Sequence, residues 1–271
     1  MNRREFLRFS AVVGASLTGG GLLSGCDWES YLALYGVRIV DPHAHPDQFY
    51  SSNPDPDPAT VDDSSTLGNI VGVGMAASSF SAIGDLRYLG TQIPGVGEYE
   101  STIFQLAKVQ ALADAGRVTK VLKASDIPQA SGAGIPPGAI LSIEGGDALT
   151  SDTVGADPFA IASARLDELY GLGVRIVTLI HYRHNDLGDA QSLRYPDDPA
   201  LPHGGLTPLG AHVVTGMQEK GMLVDVAHAS ANTLADVVEI ARAAKKPIVD
   251  SHTGLHPDGD MTHYRRLRTL E

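Results

Sequence analysis

The sequence predicts an α/β fold built as a (β/α) barrel, and three observations predict it. Short apolar runs alternate with helix-patterned segments along the chain, which implies βα units around a parallel sheet. The 271 residues, 43% of them hydrophobic, suffice for one large core, and a single α/β barrel fits that length. Histidines and a glutamate stand where the apolar runs end, the place from which such barrels present functional side chains.

Taken in order, residues 1–25 read as an export signal and not as structure. Arg3-Arg4-Glu5-Phe6-Leu7-Arg8 has the twin-arginine pattern, and an apolar run broken by glycines follows from Phe9 to Leu23. That run is too short and too Gly-rich for a membrane-spanning helix. It closes on Leu23-Ser24-Gly25-Cys26, the form of a bacterial lipobox. Cys26 is then the lipidation site, and acyl chains anchor the mature protein to a bacterial membrane on its periplasmic or extracytoplasmic face. Residues 26–36 would be the tether and 37–271 the barrel domain. Cys26 is the sole cysteine, so no intrachain disulfide can form.

Val37–Val40 reads as a first strand and the Pro-, Asp- and Ser-rich stretch from Gln48 to Ser65 as a loop. Ile70–Ala76 reads as a second strand. Residues 101–115, with apolar Ile103, Leu106, Ala107, Leu112 and Ala115, form a helix closed by Gly116. Ala139–Ile143 is a buried strand ending at Glu144. A helix over Pro158–Tyr170 precedes the strand Val174–Ile180, which delivers His181. Thr207-Pro208 supplies an N-cap and first-turn proline. Met222–Val226 leads to His228, Ser230 caps the next helix, and Pro247–Asp250 is a sixth strand ending at His252.

The formal net charge is -12, and the signal segment contributes positively to it. So acidic a body excludes nucleic acid as a partner, since phosphate binding needs a basic face.

His43-Ala44-His45 on an extended segment points both imidazoles to one side, so one metal ion can take both. With Glu144, His228 and His252, each closing an apolar strand, the candidate ligands number five residues. That exceeds what one tetrahedral zinc needs, and a carboxylate can bridge two ions. Two ions a few ångströms apart generate hydroxide near neutral pH and clamp a displaced carbonyl, so the implied chemistry is amide or ester hydrolysis. His181 is left without a metal partner; it is read either as the group that polarises the substrate carbonyl or stabilises the oxyanion, or as a hydrogen-bonding loop residue.

The stretches Val40–His45, Leu141–Gly146, Gly173–Ala190, Gly205–Gly210, Gly221–His228 and Lys246–His252 resemble, in order, the membrane (renal) dipeptidase family of zinc peptidases within the amidohydrolase superfamily. The resemblance implies a TIM-like barrel with two Zn2+ per chain. Glu144 would bridge them, His43 and His45 holding one ion and His228 and His252 the other, with His181 on the substrate. It implies zinc-dependent hydrolysis of dipeptides by a metal-bridging hydroxide. The partner expected is a small dipeptide-like substrate, and a homodimer is an admissible assembly.

Two departures from the family pattern stand out. The family usually carries Asp where this chain has His45, which removes one negative charge and should alter metal preference or the acidity of the bridging water. The chain also stops at Glu271, where the family continues through two more βα units. The barrel is therefore expected to be incomplete, with about six of eight units, in a fragment of a longer product. Arg265 or Arg266 lies near the family's substrate-carboxylate arginine, where a bidentate clamp is chemically sensible; a solvated basic run Arg265-Arg266-Leu267-Arg268 is the other reading. Two further functions compete: another amidohydrolase acting on a lactone or N-acyl amino acid, and a non-catalytic lipoprotein.

Overall fold

Seven parallel strands make a single sheet in the computed structural model, which describes residues 38–45, 66–86, 95–131, 134–150, 155–191 and 201–253. They are β1 (Val40–Asp41), β2 (Ala77–Ile83), β3 (Thr119–Lys120), β4 (Gly138–Glu144), β5 (Val174–Thr178), β6 (Leu223–Asp225) and β7 (Ile248–Val249). The hydrogen-bonded order is β1-β2-β4-β5-β6-β7. The two-residue β3 pairs with the start of β4, at Gly138 and Ala139, while β5 pairs with β4 from Leu141 onward.

Among the described residues six α-helices fill the connections: α1 (Thr66–Gly72), α2 (Glu98–Asp114), α3 (Asp147–Thr150), α4 (Pro158–Leu172), α5 (Pro208–Glu219) and α6 (Ala231–Ala244). Their ends follow local chemistry. Asp157, Thr207 and Ser230 cap α4, α5 and α6 by accepting main-chain N–H groups of Phe159, Gly210 and Thr233. Gly116 beyond α2 and Gly173 at the end of α4 take left-handed conformations, with φ of 70° and 106°, which glycine adopts without a Cβ penalty.

Side chains alternate across each strand. One face of the sheet carries Phe80, Ala82, Leu141, Ile143 and Val177, which pack with Leu106 and Val109 of α2, Leu166 and Leu169 of α4, Val213 and Met217 of α5, and Val237 of α6. The other face carries Ser79, Ser81, Ser142, Glu144, Thr178 and Asp225, aligned by register across β2, β4, β5 and β6. The sheet curls around this polar face. The rings of His43 and His252 follow strands at opposite ends of the sheet order, yet they stack with centroids 3.9 Å apart. The architecture is an incomplete TIM-like (β/α) barrel.

The segment read as a second strand, Ile70–Ala76, is instead the end of a helix and its exit. Leu67 and Ile70, three apart, are buried on one face of α1, a helical spacing. Gly74, with φ of 70°, terminates it as Met75 N–H reaches back to the Ile70 carbonyl. The strand itself lies further on, over the serine-rich Ala77–Ile83, every residue of which is buried. The loop read from Gln48 to Ser65 lies outside the described residues, as do the signal segment, the tether and the chain beyond Thr253.

Candidate metal centre

The polar face of the sheet ends in a cluster of imidazoles gathered around one carboxylate. Glu144 closes β4, and the backbone fixes the carboxylate-bearing end from both sides. Gly84 N–H donates to the Glu144 carbonyl at 2.7 Å, and Gly145 N–H donates to the Thr178 carbonyl at 3.0 Å. Oε2 of Glu144 lies 3.1 Å from His45 Nε2 and 3.3 Å from His181 Nε2. Oε1 lies 3.1 Å from His228 Nε2, 3.3 Å from His252 Nε2 and 3.5 Å from His43 Nε2. The two carboxylate oxygens thus face different sets of nitrogens. The site is closed at its base and open at its mouth: the Glu144 side chain is 3% exposed and that of His252 30%.

Each imidazole is delivered by the chain just past a strand. His43 and His45 follow β1, and His45 Nδ1 lies 2.7 Å from the main-chain carbonyl of Ser81 in β2. A carbonyl only accepts, so Nδ1 carries the proton and Nε2 presents its lone pair to the cluster. His228 follows β6 with φ of 63°, a left-handed conformation that costs a residue with a Cβ roughly 1–3 kcal/mol and turns its ring inward. His252 follows β7, with Nδ1 2.7 Å from Ser251 Oγ. His181 follows β5 and is buried, its Nδ1 2.7 Å from Asp85 Oδ1. Tyr182 lies against the His181 ring at 3.9 Å between centroids and is 40% exposed.

Electrostatics favour an anionic Glu144 carboxylate beside a neutral His228 ring. Burial pushes the Glu144 carboxyl upward, but hydrogen bonds with His228, His252, His43 and His45 outweigh it and hold it well below the usual carboxylate range. Burial draws His228 below its ordinary value, helped by the neighbouring His181 and His252 against the pull of Glu144. Burial also works to lower His181, yet the hydrogen bond to Asp85 and the charges of Glu144, Asp85 and Asp147 raise it.

The donor set suits a divalent cation. His43 Nε2 and His45 Nε2 lie 3.2 Å apart, and His228 Nε2 and His252 Nε2 2.7 Å apart. Lone pairs facing one another at such distances repel unless a proton or a cation lies between them. Two groups of three, His43–His45–Glu144 and Glu144–His228–His252, each hold their ligand atoms within 4.8 Å of one another and share Glu144. Imidazole and carboxylate donors of this kind suit zinc.

The structure therefore brings six residues singled out in the sequence, His43, His45, Glu144, His181, His228 and His252, into one cluster. Arg265 and Cys26 lie outside the described residues. Three partners of the cluster were missed. Asp85 was hidden by the misplaced second strand; set correctly, β2 ends at Ile83 opposite Glu144 of β4, and Asp85 follows two residues on. Asp225 sits in the apolar run Val224-Asp225-Val226, where a buried acid demands donors. Ser251 precedes His252 and bonds both it and Asp225.

A parallel curled sheet with imidazoles and a carboxylate at its strand ends is the arrangement from which (β/α) barrels present metal ligands. The membrane dipeptidase model (peptidase family M19) matches residues 87–257, more than half of the chain, and the protein belongs to that family. Dipeptidase aclJ of Aspergillus oryzae is 36% identical over 85 residues, which is 31% of this chain and 18% of that protein. The chain thus matches about a fifth of the length of such curated relatives. Among solved structures, a metallo peptidase from Rhodobacter sphaeroides liganded with a phosphinate mimic of the dipeptide L-Ala-D-Ala superposes with a TM-score of 0.62 at 19% identity. That match covers 86% of this chain and 69% of that one. The probable dipeptidase PvdM from Pseudomonas aeruginosa gives 0.54 at 17% identity, over 75% of this chain and 48% of that one. At these identities the structural likeness speaks for the fold.

Proposed function

We propose that the chain is a metallo-dipeptidase whose centre takes two zinc ions, with dipeptides as substrates. The observation that carries the reading is the placement of Glu144 between two imidazole sets, one oxygen 3.1 Å from His45 and the other 3.1 Å from His228. His43 and His45 would hold one ion, His228 and His252 the other, with Glu144 common to both. Bound there, the ions would acidify a shared water and polarise the scissile carbonyl. His181 presents its Nε2 to Glu144 Oε2 at 3.3 Å while Asp85 holds Nδ1, which would orient the ring beside the metal ligands to contact the carbonyl oxygen of a bound amide. Tyr182, exposed beside it, offers an apolar wall to a substrate side chain. Arg265 is assigned to the substrate carboxylate on the sequence pattern alone. By the N-terminal sequence pattern, export is assigned to the twin-arginine route and the lipid anchor to Cys26.

The test is metal reconstitution. Zinc added to metal-free protein should switch on hydrolysis of dipeptides in preference to lactones and N-acyl amino acids, and His252→Ala should abolish it. Undiminished turnover in saturating chelator would overturn the metal reading. A preference for lactones would leave the metal centre standing and move the substrate.

A further inference from the structure

Asp225 poses a problem that its geometry resolves. With His43 and His252 it forms a third group whose ligand atoms lie within 4.8 Å of one another, so distance alone makes it a candidate metal ligand. Its carboxylate is already fully engaged. Oδ1 accepts the main-chain N–H groups of Ala227 and Ser251, each at 3.1 Å. Oδ2 accepts the hydroxyls of Thr178 at 2.7 Å and Ser251 at 2.6 Å. A carboxylate offers about four lone-pair directions, and four donors occupy them. Asp225 is buried as well, and freeing an oxygen for an ion would orphan a buried donor.

The same contacts set the tautomer of His252. A Ser251 hydroxyl 2.6 Å from a carboxylate has the short length of a charge-assisted bond, so its single proton goes to Asp225. Toward His252 Nδ1, 2.7 Å away, the serine oxygen can then only accept. His252 must carry its proton on Nδ1, and its Nε2 lone pair faces His228 and Glu144. Resting on the metal-centre reading above, we infer that Asp225 and Ser251 are positioning residues for His252. The Asp225–Ser251–His252 relay selects the Nδ1–H tautomer, so that Nε2 is ready for a metal ion, and Asp225 is not itself a ligand.

Two readouts test the relay. In the metal-free wild-type chain at alkaline pH, long-range 15N–1H correlation should show His252 as the Nδ1–H tautomer, and Ser251→Ala should shift it toward Nε2–H. In competition with a chromophoric chelator, Ser251→Ala should weaken one zinc site by about tenfold or more, the effect expected when an outer partner of a metal-bound histidine is lost. Ser251→Thr, which keeps the hydroxyl, should restore both. An Nε2–H tautomer in the wild type overturns the relay even if Ser251→Ala fails to fold, and so does unchanged zinc affinity in folded Ser251→Ala. Failure of the metal reading shows itself separately, as a wild type that binds no zinc while His252 still holds the Nδ1–H form.

Discussion

β4 and the two strands at the ends of the sheet, β1 and β7, all deliver groups to one cluster, but they hold those groups by different means. β4 runs for seven residues, pairs with β2 along its whole length and with β5 from Leu141. Glu144 is therefore positioned by main-chain bonds that exist whatever the cluster does. β1 and β7 are two residues long, and each pairs with a single neighbour among the described residues. Their histidines meet through side chains, with the His43 and His252 rings stacked across the curl of the sheet. The carboxylate is built into the longest-paired strand, while the imidazoles of the two end strands rest at Nδ1 on Ser81 for His45 and on Ser251 for His252, and on what their Nε2 atoms share. A metal centre here would therefore also fasten the edge strands, whereas its loss would leave β4 in place.

The largest expected effect comes from breaking the shared element. Glu144→Gln keeps the shape and removes the charge common to both imidazole sets. Metal content, measured by atomic absorption, should fall from about two ions per chain toward none, and dipeptide hydrolysis should drop by more than about a thousandfold, a barrier increase of roughly 4 kcal/mol. Thermal melting of the metal-free form should change little, because Glu144 keeps its backbone anchors. A variant that still holds both ions would show that the carboxylate is not the bridge.

Chelation sharpens the contrast between edge and centre. With free zinc about a hundredfold above its dissociation constant, binding stabilises the native state by roughly 2.7 kcal/mol. Chelator should remove that support mainly at the edges. Hydrogen exchange should then quicken at the amides of β1 and β7 by up to about a hundredfold, while those of β4 and β5 stay protected. Uniform loss of protection across the sheet would mean that the edges are no more dependent on the ions than the middle.

Legibility in the sequence followed the same division between scaffold and support. Ala139-Ile140-Leu141-Ser142-Ile143 announces β4 because an interior strand is apolar on nearly every residue, and Thr207-Pro208 and Ser230 mark helix starts by their capping chemistry. Histidines and Glu144 placed just past such runs were readable for that reason. β2 was not readable, because three of its seven residues are serines. These become tolerable only through partners supplied by the fold, as where Ser79 and Ser142 hydroxyls meet at 2.5 Å. Asp85 was lost with β2. The two-residue β3 carries no periodicity at all. Asp225 and Ser251 were visible as residues, but their work consists of bonds across β5, β6 and β7 that no local pattern encodes.

The smallest expected effect separates main-chain from side-chain support within the cluster. His45 is oriented by the carbonyl of Ser81, which any residue at that position would supply, whereas His252 leans on a serine hydroxyl. The Ser81 hydroxyl itself is buried without a hydrogen-bond partner, so its desolvation is uncompensated. Ser81→Ala should therefore leave zinc affinity unchanged and shift stability by less than about 1 kcal/mol, with the gain going to the variant. Chemical denaturation and the chelator competition together measure both quantities. A tenfold loss of zinc affinity in Ser81→Ala would mean that the hydroxyl, and not the carbonyl, orients His45, and the distinction between the two histidine supports would vanish.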